Sequence, residues 1–413
     1  MSILIGIDAS RANKIKKTGT EWYSYHLIQE LKKITSQYGD AGFVLYSAEP
    51  LRGDLGILPP NWESRVLAWP PKRFWTQIRL SWEMWRHPPD ILFVPAHTIP
   101  VIHPKKVVTT VHDLGFINFP KAYGWLEKVY HKFALNFAVK KATKIITVSE
   151  FTKKELVKHT KIIPEKVAVI YNSHDSERYK IISDKSAIEK VLEKYIRDFP
   201  LCKRGIKGDF FKQTNPSLTL PLQKGEGCRI SASYLLYIGR LEAKKNTPGL
   251  FQAFSILKNK HESLRDLKLV LVGSRGFGYE EVEKEIEGRG LQREIILPGW
   301  VDEEDLPFLL SGAELFVFPS FYEGFGIPIL EAMALGTPVL ASDIPALREI
   351  SGEAVNFFNP NSPEEMAEGI YKILSDDKLK NYMREMGLMQ AQKFSWEKCA
   401  RETMEALKID NKF

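Results

Sequence analysis

The stretch from Glu314 to Gly336, ELFVFPSFYEGFGIPILEAMALG, constrains this chain more than any other. Glu314 to Phe318 is a short apolar run of strand type, and Gly324, Gly326 and Pro328 break the pattern before Ile329 to Leu335. Pro328 suits the first helical position and Gly336 the position just past the end, so a short helix has both limits written into the chain. Glu331 falls about one turn into that helix. Helical side chains lean toward the amino terminus, so its carboxylate reaches back toward the loop that carries Glu323. A loop at the carboxyl end of a parallel strand, running into a helix, presents free N–H groups and the positive end of the helix dipole to an anion such as phosphate. Gly324 and Gly326 let the backbone approach such a ligand, and a carboxylate on each side can accept hydrogen bonds from sugar hydroxyls. Taken singly, Glu331 would only complement the dipole and Glu323 would be a solvated loop residue.

The spacing changes that balance. Glu323 and Glu331, with Gly-Phe-Gly-Ile-Pro between them, resemble the E-x7-E signature of the retaining glycosyltransferases of family 4 (group 1). The resemblance implies that Glu323 lies by the transferred sugar, that Glu331 binds the ribose, and that the amides of Gly324, Phe325, Gly326 and Ile327 contact sugar and phosphate. Gly239 to Asn246, GRLEAKKN, is similar to the family's G-R-L-x-x-x-K segment, which puts Arg240 and Lys245 at the diphosphate. Departure of a nucleoside diphosphate develops negative charge that fixed cations stabilise; without the resemblance, both would read as surface charges. Pro298-Gly299-Trp300-Val301 resembles the loop with which relatives hold the base, adding Trp300 and Val301 to the donor set.

Two positions in the first half belong with these. Val111-His112-Asp113 closes a strand, where α/β sheets place ligands. A lone histidine is more often structural, but the resemblance implies that His112 hydrogen-bonds the transferred sugar; Asp113 can cap the next turn. Gly19, in Lys-Lys-Thr-Gly-Thr-Glu-Trp, can turn the loop under a ligand, although many relatives carry two glycines there. Glu323, His112, Arg240 and Lys245 are therefore the expected catalytic set. Gly273 to Gly278, GSRGFG, is not the G-x-G-x-x-G of a dinucleotide site, and no metal or cofactor is expected.

Short apolar runs alternate with amphipathic ones throughout, the pattern of parallel α/β layers. The length of 413 residues exceeds what one core usually supports. The expected arrangement is two Rossmann-like domains facing across a cleft, the glycosyltransferase B fold that the resemblance implies. The first spans 1–182 and binds the acceptor; 183–232 is a linker; 233–394 binds the nucleotide sugar; 395–413 ends in a helix that returns to the first domain. Lys203 to Ser231, rich in Gly, Pro and Lys, shows neither period and reads as a flexible, dispensable insertion. Tyr171-Asn172-Ser173-His174-Asp175 stands where the family has a Tyr-Asn-Gly-Val-Asp-like turn, so the glycine is missing.

The charge of +7 is unevenly placed: residues 1–180 hold 27 Lys and Arg against 16 Asp and Glu. Such a half suits an anionic substrate, a membrane or nucleic acid, and charge alone does not choose. Lys121 to Lys161 carries ten Lys and three Glu among aromatics, and Trp69 to Trp85 is aromatic-rich. With Trp75, Trp82, Trp85, Trp125 and Tyr130 set among cations, these segments suit an anionic membrane surface, or equally a core-facing stripe with a solvated lysine face. No run reaches a membrane span and no signal peptide precedes the first strand, so a cytoplasmic protein, with the inner face of the membrane open to it, is expected. Cys202, Cys228 and Cys399 show no metal or disulfide spacing.

The expected activity is transfer of a hexose, mannose by resemblance to bacterial polysaccharide and lipopolysaccharide mannosyltransferases, from GDP-mannose or a UDP-sugar to a glycan or lipid-linked acceptor. Retention would proceed by same-face attack within an ion pair, the diphosphate taking the acceptor proton. The other readings are a sucrose or sugar-phosphate synthase, a nucleotide-sugar epimerase of the same fold, and a non-catalytic basic membrane-binding module. Nucleic acid is not an expected partner.

Overall fold

A computed structural model describes residues 3–35, 41–71, 73–120, 123–197, 233–276 and 279–408. Lys203 to Ser231, with Cys202 and Cys228, lies outside the described residues.

Seven strands form the first sheet: β1 (Leu4–Asp8), β2 (Gly42–Ser47), β3 (Trp62–Val66), β4 (Ile91–Val94), β5 (Lys106–Val111), β6 (Lys144–Thr147) and β7 (Val167–Val169). Their order is β3-β2-β1-β4-β5-β6-β7, and all pairs are parallel. Its helices are α1 (Gly19–Ile34), α2 (Ser81–Arg86), α3 (Gly115–Asn118), α4 (Trp125–Lys141) and α5 (Glu150–His159). Strands buried on both faces read as unbroken apolar runs, which is why they were legible. The run from Arg65 to Ala68 reads as the third strand in the sequence, but the strand begins at Trp62, whose ring stacks on Phe43 at 4.6 Å. It is an edge strand with Glu63 and Ser64 exposed, so the apolar run that marks a central strand is missing.

The chain then crosses over through α6 (Lys185–Leu192), which packs on a helix of the second sheet, so from residue 185 the crossover is already part of that layer. The second sheet holds β8 (Tyr234–Ile238), β9 (Lys268–Val272), β10 (Ile295–Gly299), β11 (Leu315–Phe318), β12 (Val339–Ser342) and β13 (Asn356–Phe358), parallel in the order β10-β9-β8-β11-β12-β13. Its helices are α7 (Thr247–Lys260), α8 (Tyr279–Gly288), α9 (Leu306–Gly312), α10 (Ile327–Ala334), α11 (Pro345–Ser351), α12 (Pro363–Ser375) and α13 (Asp377–Ala391). The last helix, α14 (Trp396–Leu407), capped by Ser395, packs against α1 of the first sheet.

Helix α10 ends as its sequence dictates. Gly336 has φ +72°, and the Gly336 and Thr337 N–H groups donate to the carbonyls of Met333 and Ala332 at 3.0 and 2.9 Å, closing the last turn. Both sheets reverse their winding between central neighbours, β1 beside β4 and β8 beside β11, and loops at such switch points open a crevice at the strands' carboxyl ends. The two crevices face each other.

Candidate active site

Between the sheets lies a cleft of about 580 Å³. The loop after β8 supplies Arg240 and Lys245, the loop after β11 supplies Glu323 to Gly326, and α10 supplies Ile327 and Glu331. Trp300 and Val301 enter after β10, Gly19 at the start of α1, and His112 after β5. The structure thus brings all twelve expected site residues to one cavity.

Lys245 Nζ lies 2.6 Å from Glu323 Oε1, and both side chains are largely shielded, at 17 and 13% exposure. The two opposite charges neutralise each other inside the cleft. Arg240 remains exposed at the rim. Gly239 and Gly273 meet at the floor, and a Cβ on Gly273, whose φ is +150°, would fall 1.9 Å from the Gly239 carbonyl oxygen. Gly326, at φ +112°, caps α10, so only glycine suits the turn that aims that helix's amino terminus into the cleft.

The His112 ring is edge-on to Tyr23 at 4.7 Å, and its Nε2 is 3.1 Å from the Pro95 carbonyl oxygen. A carbonyl only accepts, so Nε2 carries the proton. Burial lowers the histidine's pKa, which keeps Nδ1 of the neutral ring as an acceptor. Asp113 accepts from the Gly115 N–H at 2.7 Å, the expected cap, and also faces Lys244 of the other sheet at 3.8 Å.

At the other end, burial pushes the Glu331 carboxyl up to about 8, and repulsion from Glu303 adds to the effect. Part of its side chain still touches the open cleft. Glu303 accepts from Trp22 Nε1 at 3.1 Å, faces Arg178 at 3.8 Å, and is itself shifted upward by burial. His26, stacked between Trp22 and Trp396 at 5.2 and 5.3 Å, is held down to about 4 by burial. Sequence reasoning did not find Trp22, Arg178, Tyr179 or Glu303. They come from three segments far apart in the chain, α1, the Arg178-Tyr179 turn and the loop after β10, and share no local pattern.

The contacts that close the cleft were also missed. Ser149, the N-cap of α5, accepts from the Thr152 N–H, and its hydroxyl also donates to the Gly324 carbonyl at 2.6 Å. Glu349, at the end of α11, accepts from the Glu150 and Phe151 N–H groups at 2.6 and 2.9 Å, so an acid of one domain caps a helix of the other. The Leu114 N–H donates to the Tyr322 hydroxyl at 3.1 Å.

Two parallel-sheet domains with facing switch-point crevices are the architecture of the two-domain glycosyltransferase B fold. Residues 229–388 match the glycosyl transferases group 1 and residues 18–178 match glycosyltransferase family 4. The chain belongs to this family. It is 32% identical over 306 residues to an O-antigen chain mannosyltransferase B of Escherichia coli, covering 74% of this chain and 71% of that one. The O-antigen chain mannosyltransferase RfbU of Salmonella typhimurium is 26% identical, covering 75 and 71%. Among solved structures, sucrose-phosphate synthase from Thermosynechococcus elongatus superposes with a TM-score of 0.70 at 18% identity, covering 98% of each chain. WaaG, a glycosyltransferase involved in lipopolysaccharide biosynthesis, does so with 0.69 at 16%, covering 98 and 100%. At that identity these two speak for the fold alone. The relatives do not favour the synthase or epimerase readings, and family membership leaves little reason for a non-catalytic module.

Proposed function

We propose that this glycosyltransferase moves mannose from GDP-mannose to a glycan acceptor of the O-antigen type, with retention of configuration and without a divalent metal. The observation that carries the reading is the Lys245–Glu323 pair, with Glu331 on the helix behind it in the same cleft. A cation for the departing diphosphate, a carboxylate for sugar hydroxyls and a second carboxylate for the ribose are the three groups that such a donor requires. The names of the mannosyltransferase relatives support the sugar and the acceptor.

When the donor enters, Lys245 exchanges Glu323 for the diphosphate, and Arg240 folds in from the rim to share the charge. Glu323 is then free to accept from the sugar, with His112 Nδ1 as a second acceptor. The acceptor hydroxyl attacks from the face the diphosphate leaves, and a diphosphate oxygen takes its proton. No enzyme nucleophile enters that sequence.

Since side-chain cations supply the charge, transfer should continue in EDTA. Loss of activity in EDTA with rescue by manganese would overturn the metal-free step. The donor is tested by thermal shift against GDP, UDP and ADP. GDP should stabilise most; a larger shift with UDP would assign the base otherwise, and the structures of the Anabaena HepE protein with UDP and glucose and with UDP-glucose, 17 and 18% identical to this chain, make UDP the comparison to include.

A further inference from the structure

Next to His112 the cleft holds a second group of polar side chains, distinct from those assigned to the donor. Tyr123, just before α4, and Glu127, in its first turn, line the cavity from the first domain, and Glu242 lines it from the loop after β8. The Tyr123 hydroxyl and the Asp113 carboxylate come together over Gly115. A Cβ on that glycine would lie 2.8 Å from the hydroxyl and 3.1 Å from Asp113 Oδ1, so the missing side chain leaves room for both.

Glu127 is held from behind. One turn along α4, His131 Nε2 faces Glu127 Oε1 at 3.7 Å, and His131 Nδ1 is 3.0 Å from His97 Nε2. A carboxylate only accepts, so the His131 proton belongs on Nε2, and Nδ1 accepts from the Nε2–H of His97. His97 is neutral, since burial, with His131 and His112 nearby, pushes it down to about 3. The His131 ring itself stacks on Phe116 at 5.4 Å and is edge-on to Tyr123 at 6.1 Å. Tyr123, Glu127 and His131 are thus one packed unit, anchored through His97 to the loop after β4.

We propose that Tyr123 and Glu127 bind the hydroxyls of an uncharged sugar at the acceptor terminus, with His131 positioning the Glu127 carboxylate. The inference rests on the transferase reading, in which the acceptor must meet the transferred sugar beside His112. A carboxylate accepts from sugar hydroxyls and a tyrosine hydroxyl both donates and accepts, so the pair suits a polyol. Charge argues against a phosphorylated terminus. Asp113, Glu127 and Glu242 stand around this end, and the Lys244 ammonium already faces Asp113 at 3.8 Å. Arg240 and Lys245 are committed to the diphosphate. Among the described residues the first domain's only cations on the cleft wall are Lys17 and Arg178, and both belong to the cluster around Glu303. The surplus of lysines in the first half of the chain therefore does not reach the acceptor end, and an anionic terminus would meet like charge there.

The test is initial-rate kinetics of transfer from GDP-mannose to a panel of methyl hexosides, each compared with its 6-phosphate. A neutral hexoside should be used, with its 6-phosphate showing a KM about tenfold higher or more. Glu127→Ala should raise the KM for the neutral hexoside about tenfold and Tyr123→Phe several-fold, with kcat little changed. Glu127→Lys should narrow or invert the preference against the 6-phosphate. His131→Gln keeps a donor within reach of Glu127 and should preserve KM, whereas His131→Leu should raise it as Glu127→Ala does and add little in that background. The GDP-induced thermal shift, measured on every variant, should stay at the wild-type value, which separates acceptor binding from folding and from the donor site. The proposal is overturned if no neutral hexoside is used, if the 6-phosphate has the lower KM, or if Glu127→Ala and Tyr123→Phe both leave KM unchanged. His131→Gln as damaging as His131→Leu would overturn the positioning role. A shift with UDP and none with GDP would count against the donor reading alone, and the same KM comparison with the UDP-sugar would still decide this one.

Discussion

Gly324→Ala is expected to leave each domain folded and to lower transfer by on the order of 10²-fold or more, because it stops the cleft from closing. A Cβ at that position would lie 1.9 Å from the His112 carbonyl oxygen and 3.0 Å from the Asp113 Cβ. Both belong to the other domain and the first is backbone, so no rotamer change relieves the clash. The displaced loop also loses the Ser149 and Thr152 hydroxyls, which hold the Gly324 carbonyl at 2.6 and 3.2 Å. The variant should keep the wild-type melting transition within a few degrees and retain affinity for the free nucleotide. Activity within a few-fold of wild type would show that the glycine contact is not part of the working state.

Glu323 and Glu331 should separate when each is changed. Glu331→Ala is expected to weaken binding of the free nucleoside diphosphate by about 1 to 3 kcal/mol, the cost of leaving buried hydroxyls without their hydrogen-bond partner. Glu323→Gln should leave that binding nearly intact and reduce turnover. Equal losses of nucleotide affinity in both variants would refute this division of labour. A second signature comes from titration. The Glu331 carboxyl stands at about 8 in the folded, ligand-free protein against an ordinary 4.5. Between those values the unfolded chain has released the proton and the folded chain retains it, so stability falls as pH rises through that window. Glu331→Gln removes the effect, and its gain in melting temperature over wild type should grow from about pH 5 to about pH 9. A gain independent of pH would place the carboxyl in a wetter setting than the folded cleft provides.

Features that depend on neighbours along the chain are legible in the amino-acid order. The strand of β11, the loop of Glu323 to Gly326, the helix from Ile327 and its stop at Gly336 are local, written in apolar runs, φ-permissive glycines and a proline. Alternation of such units sufficed for two parallel sheets, and the eight-residue spacing of the two glutamates placed them on one crevice. Contacts between residues far apart in sequence come from packing. The pairing of Lys245 with Glu323, the Trp22–Glu303–Arg178 cluster beside Glu331, and the Glu349 carboxylate over the start of α5 all form only when folded layers come together. The basic aromatic segments show the same division. Composition could not tell a core stripe from a surface, and packing buried Trp75 while leaving Trp82, Trp85 and Trp125 exposed. Side-chain period reports which residues share a face, but which face is covered depends on what the rest of the chain brings against it.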